Sequence, residues 1–396
     1  MGETLRFGVY GLRRGLAHIK SIEVLDGVEV AAICDMDPSK VETAKQHCPA
    51  DVRVCADYDE LLDSGIDAVV LANFLPDHCK DAIKALKKGI AVVSECLAAA
   101  TMKECVDLVE AVEETGVYYS MAENSPYMRS CLEMGRIYQS GVLGNVVCAD
   151  GEYCHPAAPV DSGKYSPTPD HWRKKLPRTY YLTHSLGPLM NMTRLMPKKV
   201  IGKVARGPEY AKRRNSENED NAGVMLVEME GGAIFRITGH VSYGPHTHWF
   251  RLACENGGVE NVRTDEQAVS LALNPWDVPE EMRAYGANAV YHPLPDYPTR
   301  KAQARGLSGT GHLEDDFRTV HNYVTELREK KVPDMDVYRS VSMSAVAILG
   351  WRSVLHGGKE YDIPDFKDKA ARDAYRSDDL SPWRNEIPCA VYTVKD

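Results

Sequence analysis

No stretch of this chain is long and apolar enough to lie across a membrane: no run approaches the ~20 residues that a spanning helix requires. The basic, apolar and small-residue succession of a secretory signal is missing too, because the first strand-like run begins at Leu5. Met1-Gly2 opens as an acylated chain would, yet Arg6 stands where myristoylation wants Ser or Thr. Positive charge is the scarcer sign. The 47 Lys and Arg against 57 Asp and Glu give a net charge of −10, with the bases interspersed, so no basic stripe can neutralise a phosphate backbone or an anionic bilayer. Neither nucleic acid nor a membrane is expected as a partner. The 11 cysteines include no Cys-x-x-Cys pair, and Cys34, Cys55, Cys148 and Cys254 fall in apolar strand-like runs. That spacing argues against a disulfide framework or a zinc cluster and for free thiols in a reducing compartment, the cytoplasm. Internal repeats and low-complexity segments are lacking as well.

What is present is an ordinary globular composition, 44% hydrophobic and 26% charged, spread over 396 residues. That length exceeds what one core usually organises, so two domains are expected. Over the first 120 or so residues, β-branched runs alternate with helical stretches, as crossover helices on a parallel sheet require. The strands read as Leu5–Tyr10, Val28–Cys34, Val52–Cys55, Ala68–Ala72, Ala91–Glu95 and Val117–Met121. The helices between them read as Arg14–Leu25, Ser39–His47, Asp57–Ser64, Asp77–Lys88 and Thr101–Glu114. This is the count of a doubly wound Rossmann sheet. After Asn124 the pattern changes. A helix over Tyr127–Ser140 leads to a strand over Val146–Tyr153 and a loop rich in Pro, His and Tyr that runs to Arg178. From Val200 to Val262 strand follows strand, with turns expected at Gly231-Gly232 and Gly257-Gly258, which argues for an antiparallel sheet. Late helices are expected over Leu313–Lys330 and Asp336–Leu355. The expected division falls after Asn124, with a doubly wound domain over 1–124 and an α/β domain with a mostly antiparallel sheet over 125–396.

Gly8, Gly11 and Gly15 close the first strand, where a chain must turn sharply and let backbone N–H groups approach a pyrophosphate at a helix N-terminus. A strict G-x-G-x-x-G would place glycine at position 13, and the loop reads Gly11-Leu12-Arg13-Arg14-Gly15, so a plain strand-to-helix turn remains the alternative. Asp35 ends the second strand about twenty residues further on, where a carboxylate accepts both ribose hydroxyls of adenosine and repels a 2′-phosphate. NAD is therefore expected rather than NADP. Asp37, before Pro38, reads instead as a helix cap.

With these residues in place the sequence resembles the glucose–fructose oxidoreductase, inositol dehydrogenase and rhizopine-catabolism (Gfo/Idh/MocA) family. The likeness continues through Asp57-Tyr58-Asp59-Glu60-Leu61-Leu62, Ile66-Asp67-Ala68-Val69, Asn73-Phe74-Leu75-Pro76-Asp77-His78, Lys88-Gly89, Ser94-Glu95-Cys96-Leu97 and Ala122-Glu123-Asn124. The resemblance implies an NAD-binding Rossmann domain followed by a domain whose sheet carries one wall of a sugar site and often an oligomer contact. It places Asn73, Leu75 and His78 along the nicotinamide half of the cofactor, with Glu95 and Asn124 closing around its ribose and carboxamide. One departure stands out. Family dehydrogenases have Glu-Lys-Pro, the lysine polarising the reacting hydroxyl, whereas this chain has Glu95-Cys96-Leu97. A thiol is neutral near pH 7 and cannot supply that cation.

Tyr180-Tyr181-Leu182-Thr183-His184-Ser185-Leu186-Gly187-Pro188 resembles the Tyr-Pro-Thr-His-Gly-Leu-Gly-Pro segment of the family's NAD-dependent glycosidases, with Leu182 in place of the proline. Glu123-Asn124-Ser125-Pro126-Tyr127 is similar to the Glu-Asn-x-x-Tyr of the same branch. Histidine suits the removal of a hydroxyl proton, since its ordinary pKa lies near working pH. His184 is thus the candidate base and Tyr181 the candidate relay or acid; the competing reading of His184 is a helix-start residue satisfied by a backbone carbonyl. Glu123 is either a further acid–base group or a cap. His155, Asp170, His171, Trp172, Arg173, Tyr243, His246 and His248 interleave rings with polar groups as hydroxyl-rich ligands require, and Cys96 and Tyr127 join them as substrate-facing candidates. None of the histidines shows the helical pairing of a metal motif, so no metal is expected. His312 is either a cleft histidine or a solvent-facing cap. The first expectation for activity is net NAD-dependent oxidation of a sugar or glycoside. The alternatives are a redox-neutral glycosidase that oxidises its sugar transiently and a non-catalytic NAD-binding regulator.

Overall fold

The structure is a computed structural model and describes residues 4–156, 168, 170–213, 219–240, 246–278, 280, 288–307 and 313–383. It divides into two compact units, the first made of residues 1–124, 295–341 and 366–379, the second of 125–294, 342–365 and 380–396. The first unit gives way to the second at 124/125, and 295–341 returns to the first. The reason is packing. Val320, Tyr323 and Val324 of the Leu313–Glu329 helix join Phe7, Val9, Leu12, Ile19 and Ile22 in one buried cluster, covering apolar surface that the first sheet and helix would otherwise expose.

In the first unit, β1 (Leu5–Tyr10), β2 (Val28–Cys34), β3 (Arg53–Val54), β4 (Ala68–Leu71), β5 (Ala91–Ser94) and β6 (Tyr119–Met121) form a wholly parallel sheet in the order β3-β2-β1-β4-β5-β6. Every residue of β4 and β5 is buried, as strands covered by helices on both faces must be. Chain direction around the sheet reverses between β1 and β4, the switch point at which open α/β sheets bind ligands. Local chemistry sets the helix starts. Asp37 accepts from the Ser39 N–H, Asp57 from Glu60 and Thr101 from Glu104, and Pro38 opens its helix with a φ already suited to it.

The second unit holds a nine-stranded sheet in the order β14-β13-β12-β11-β7-β10-β9-β8-β15. Its strands are β7 (Val146–Cys154), β8 (Pro197–Arg206), β9 (Asp220–Met229), β10 (Ile234–His240), β11 (Thr247–Cys254), β12 (Gly257–Val262), β13 (Asp265–Leu273), β14 (Asn288–Tyr291) and β15 (Tyr361–Asp362). Only β7 and β10 pair parallel; the other pairings are antiparallel. Gly231-Gly232 lies in a turn as expected. Gly257-Gly258 does not: both glycines begin β12, and the turn falls on Glu255-Asn256. The strand run from 200 to 262 also contains a short helix, Pro208–Arg213, and a further one covers Tyr297–Ala304. Phe235, Ile237, Phe250 and Leu252 fill one face of the sheet, while Val147, Val224, Leu226 and Ile234 remain exposed.

None of the described helices is long and apolar enough to cross a membrane. Every described cysteine is a free thiol.

Candidate functional site

Gly11 adopts φ 89, a left-handed conformation that favours glycine, and a Cβ there would lie 2.5 Å from the Ala72 carbonyl carbon and oxygen. Gly15 has a second constraint: its Cβ would lie 2.6 Å from Val9 Cγ1, so the Leu12–Glu23 helix can rest on β1 only if this residue has no side chain. These glycines bring the helix N-terminus to the switch point, with Leu12 buried and Arg13 exposed on its first turn. The Asp35 carboxylate reaches the same place, accepting the Leu12 N–H at 2.6 Å through Oδ2 and the Asp37 N–H at 2.8 Å through Oδ1. Each oxygen keeps acceptor capacity for a ribose hydroxyl.

Beyond β4, Leu75 is buried and Asn73 donates through Nδ2 to Asp81 at 2.7 Å, while Asn73 Oδ1 is a buried acceptor without a protein partner. His78 is held between two carbonyls, Nδ1 at 2.9 Å from Leu97 and Nε2 at 3.3 Å from Asn73; burial pushes its pKa down against the pull of those carbonyls. The ring thus pins the loop after β4 to the loop after β5. The glycine cradle, the free capacity of Asp35 and the orphan Asn73 acceptor all fit a dinucleotide.

Glu95 and Asn124, expected beside the ribose and carboxamide, meet three residues given no role by the sequence, Arg14, His18 and Asp316. Arg14 donates through Nε to Glu95 Oε1 at 2.8 Å and through its two terminal nitrogens to Asp316 at 2.7 and 2.6 Å. Asn124 Nδ2 donates to Asp316 Oδ1 at 2.9 Å. His18 Nε2 lies 2.7 Å from Glu95 Oε1 and its Nδ1 3.2 Å from the Tyr323 hydroxyl. A carboxylate only accepts, so Nε2 carries a proton. Burial alone would raise the Glu95 pKa, but Arg14 and His18 outweigh it and hold the group at about 2. Asp316 is lowered in the same way: burial opposes and Arg14 prevails. Next to Glu95, the Cys96 thiol donates to Glu123 Oε2 at 3.2 Å; burial, Glu123 and Glu95 push its pKa well above the ordinary thiol value. Position 96 therefore presents a neutral thiol beside a fully buried carboxylate.

The second unit gathers a cluster of rings. The Thr183–Thr193 helix comes down on the sheet because Gly151 and Gly239 leave room: a Cβ at 151 would lie 2.2 Å from the Ser185 carbonyl oxygen, and one at 239 would lie 2.5 Å from Leu182 Cδ2. Ser185 Oγ donates to the Thr238 carbonyl at 2.8 Å and fixes the first turn. Pro188 removes the N–H that would otherwise bond the His184 carbonyl. His184 is thereby set against Tyr153 at the end of β7, ring centroids 4.6 Å apart, and against Tyr181 at 5.2 Å. Tyr153 also meets Tyr181 at 5.7 Å, His155 at 5.9 Å and, stacked, His248 at 4.9 Å. Tyr153 is the residue that sequence reasoning missed: a lone aromatic in a strand reads as core, and only its place in Tyr153-Cys154-His155 hints at more.

His171, Trp172 and Arg173 keep other company. Trp172 stacks with His171 at 5.8 Å, lies under the Arg173 guanidinium at 4.4 Å and meets Trp383 at 6.4 Å, whose indole N–H donates to the Trp172 carbonyl at 2.8 Å. Trp383 continues to Tyr180 at 5.4 Å. Tyr127 is buried on the turn Ser125–Tyr127. Tyr243 and His312 lie outside the described residues.

A parallel Rossmann unit with a glycine cradle and an aspartate at the end of β2, together with a unit built on a mixed, mostly antiparallel sheet, defines the NAD-binding oxidoreductase fold of the Gfo/Idh/MocA class. Residues 5–123 match that family's model, described as oxidoreductase family, NAD-binding Rossmann fold, and residues 127–372 match the glycosyl hydrolase 109 C-terminal domain. The chain belongs to the glycosyl hydrolase 109 branch of the Gfo/Idh/MocA family. It is 28% identical to a glycosyl hydrolase family 109 protein of Shewanella pealeana, over 92% of this chain and 86% of that one. It is 26% identical to an α-N-acetylgalactosaminidase of Shewanella oneidensis, over 92% and 85%. Its fold is that of levoglucosan dehydrogenase in complex with NADH and levoglucosan, with a TM-score of 0.73 at 14% identity over 91% of this chain and 99% of that one. An oxidoreductase from Agrobacterium radiobacter in complex with NAD+, L-tartaric acid and magnesium gives 0.71 at 13% identity over 91% and 98%.

Proposed function

We propose that this protein is an NAD-dependent glycosidase that oxidises its sugar transiently and cleaves the glycosidic bond without net redox change. The observation that carries the reading is the packing of two phenols, Tyr153 and Tyr181, around the His184 imidazole. Net dehydrogenation of a carbinol needs one proton acceptor. Cleavage through a transient ketone needs more: a base for the hydroxyl proton, a base for the proton on the carbon beside the ketone, and an acid for the leaving oxygen. Elimination at the anomeric carbon also requires the ketone two carbons away, so that the carbon between carries the acidified proton. Bound NAD supplies the hydride acceptor for the first step and the hydride donor for the last. The His184 imidazole and the Tyr153 and Tyr181 hydroxyls are the three groups offered for these three transfers, with His184 taking the hydroxyl proton and the two phenols serving the carbon beside the ketone and the leaving oxygen. Glu123, buried beside a neutral thiol, is the acid–base candidate of the first unit.

Relatives named as glycosidases support this order of preference over net oxidation. The dehydrogenase reading keeps one observation in its favour, the fold shared with levoglucosan dehydrogenase. The test is to incubate the protein with NAD and a panel of aryl glycosides, N-acetylated sugars included, following aglycone release together with reduced-cofactor absorbance. Aglycone without accumulating reduced cofactor supports the glycosidase. Accumulating reduced cofactor without aglycone returns the assignment to a dehydrogenase. The exposed side chains Val147, Val224, Leu226 and Ile234 are the surface through which this reading has the chain form a homo-oligomer, which light scattering measures.

A further inference from the structure

Three donor groups converge where β11 begins. His246 and His248 stand two residues apart, so in extended chain their side chains leave the same face, and their rings lie 4.7 Å apart, edge to face. Glu266, one residue into β13, is fixed by the His248 backbone N–H, which donates to Oε1 at 2.8 Å, while Oε2 lies 3.3 Å from His248 Nδ1. One nitrogen of each imidazole and a carboxylate oxygen all fall within 4.8 Å of one another. Pairing of Thr247 with Cys154 brings His155, just past the end of β7, alongside His246, and those two rings are 4.9 Å apart.

We propose that His246, His248 and Glu266 bind a divalent transition-metal ion of the zinc type. The donor set selects the class of ion. Magnesium and calcium prefer all-oxygen shells, whereas two imidazoles with one carboxylate suit zinc, cobalt, nickel or iron. Zinc binds such donors at about 2.0–2.2 Å, which requires the present spread to contract. His246 is exposed and can rotate inward, while His248 is buried and already held by Glu266. Three protein ligands leave a fourth coordination position open to water or a sugar hydroxyl. The ion would stand beside the acid–base cluster, because His248 stacks on the same Tyr153 ring against which His184 packs. The proposal is independent of whether the reaction is net oxidation or cleavage.

The test uses the full-length protein, stripped with a chelator and titrated first with Co2+ and then with Zn2+. The expected result is one Co2+ per chain with visible ligand-field bands that Zn2+ abolishes, and a thermal midpoint raised by Zn2+. His246→Ala and Glu266→Gln, both at positions not fully buried, should keep the far-ultraviolet circular dichroism of the parent. Each should weaken binding beyond the roughly 10–100-fold that an outer-shell partner alone is worth. His47→Ala, at a surface histidine paired with Glu23 in the first unit, should bind as the parent does. No stoichiometric Co2+ or Zn2+ binding by the parent, or parental affinity in folded His246→Ala and Glu266→Gln, overturns the proposal.

Discussion

The Cys96 thiol donates to the Glu123 carboxylate across 3.2 Å, at the position where dehydrogenases of this family carry a lysine. Burial and two nearby carboxyl groups keep the thiol protonated, so the site holds a neutral donor facing a buried carboxyl group where the resemblance would have placed a cation.

Alkylation measures that neutrality directly. Only the thiolate attacks, and burial with Glu123 and Glu95 holds the Cys96 pKa above the ordinary thiol value. At pH 8, iodoacetamide should label exposed Cys148 at least about tenfold faster than Cys96, as read by peptide mass spectrometry. Equal rates would mean the thiol is not held neutral.

Substitutions in the ring cluster separate chemistry from cofactor binding. His184→Ala should lower kcat by about 10²–10⁴ while calorimetry gives an unchanged NAD affinity. Tyr153→Phe keeps the ring against His184 but removes the hydroxyl, and should cost at least about tenfold in kcat with little change in KM. Parental turnover in both variants would remove the cluster from the mechanism.

Much of the first unit was legible because its strands are short β-branched runs buried on both faces, and because Gly11 and Gly15 answer to backbone conformation and close packing and Asp35 to the N–H groups at the helix start. The Arg14–Asp316 pair was not legible, since 302 residues separate the partners and nothing local marks either one. For the same reason the Leu313–Glu329 helix could be foreseen but not its home on the first sheet. His155, His246 and His248 were visible as residues, whereas their convergence depends on the register between β7 and β11. Tyr153 hid among core aromatics. Gly257-Gly258 misled because a glycine pair signals a turn only when the adjoining residues do not already make one.

The pH dependence of stability follows from Glu95. Its folded pKa of about 2 lies below the ordinary carboxylate value of 4.5, so its contribution is whole above about 4.5 and is lost as pH falls towards 2. Glu95→Gln should lower the thermal midpoint at pH 7 and flatten its decline over that acid window, as differential scanning calorimetry would record. An acid limb identical to the parent's would show that Arg14 and His18 do not stabilise the carboxylate.

Gly11→Ala and Gly116→Ala form a matched pair. Both glycines have positive φ, 89 and 63, but a Cβ at Gly11 meets the Ala72 backbone at 2.5 Å, whereas one at Gly116 meets nothing within 4 Å. Gly116→Ala should cost about 1 kcal/mol and Gly11→Ala about 1–3 kcal/mol more. Only Gly11→Ala should also weaken NAD binding. Denaturant unfolding and calorimetric titration give the two readouts.

The most direct test of the account is solvent-proton exchange during turnover. With NAD and a cleavable glycoside in deuterium oxide, the released sugar should carry one deuterium on the carbon beside the transiently oxidised one, in step with aglycone release and with no accumulation of reduced cofactor. Aglycone released with no deuterium at that carbon would contradict the transient-ketone mechanism.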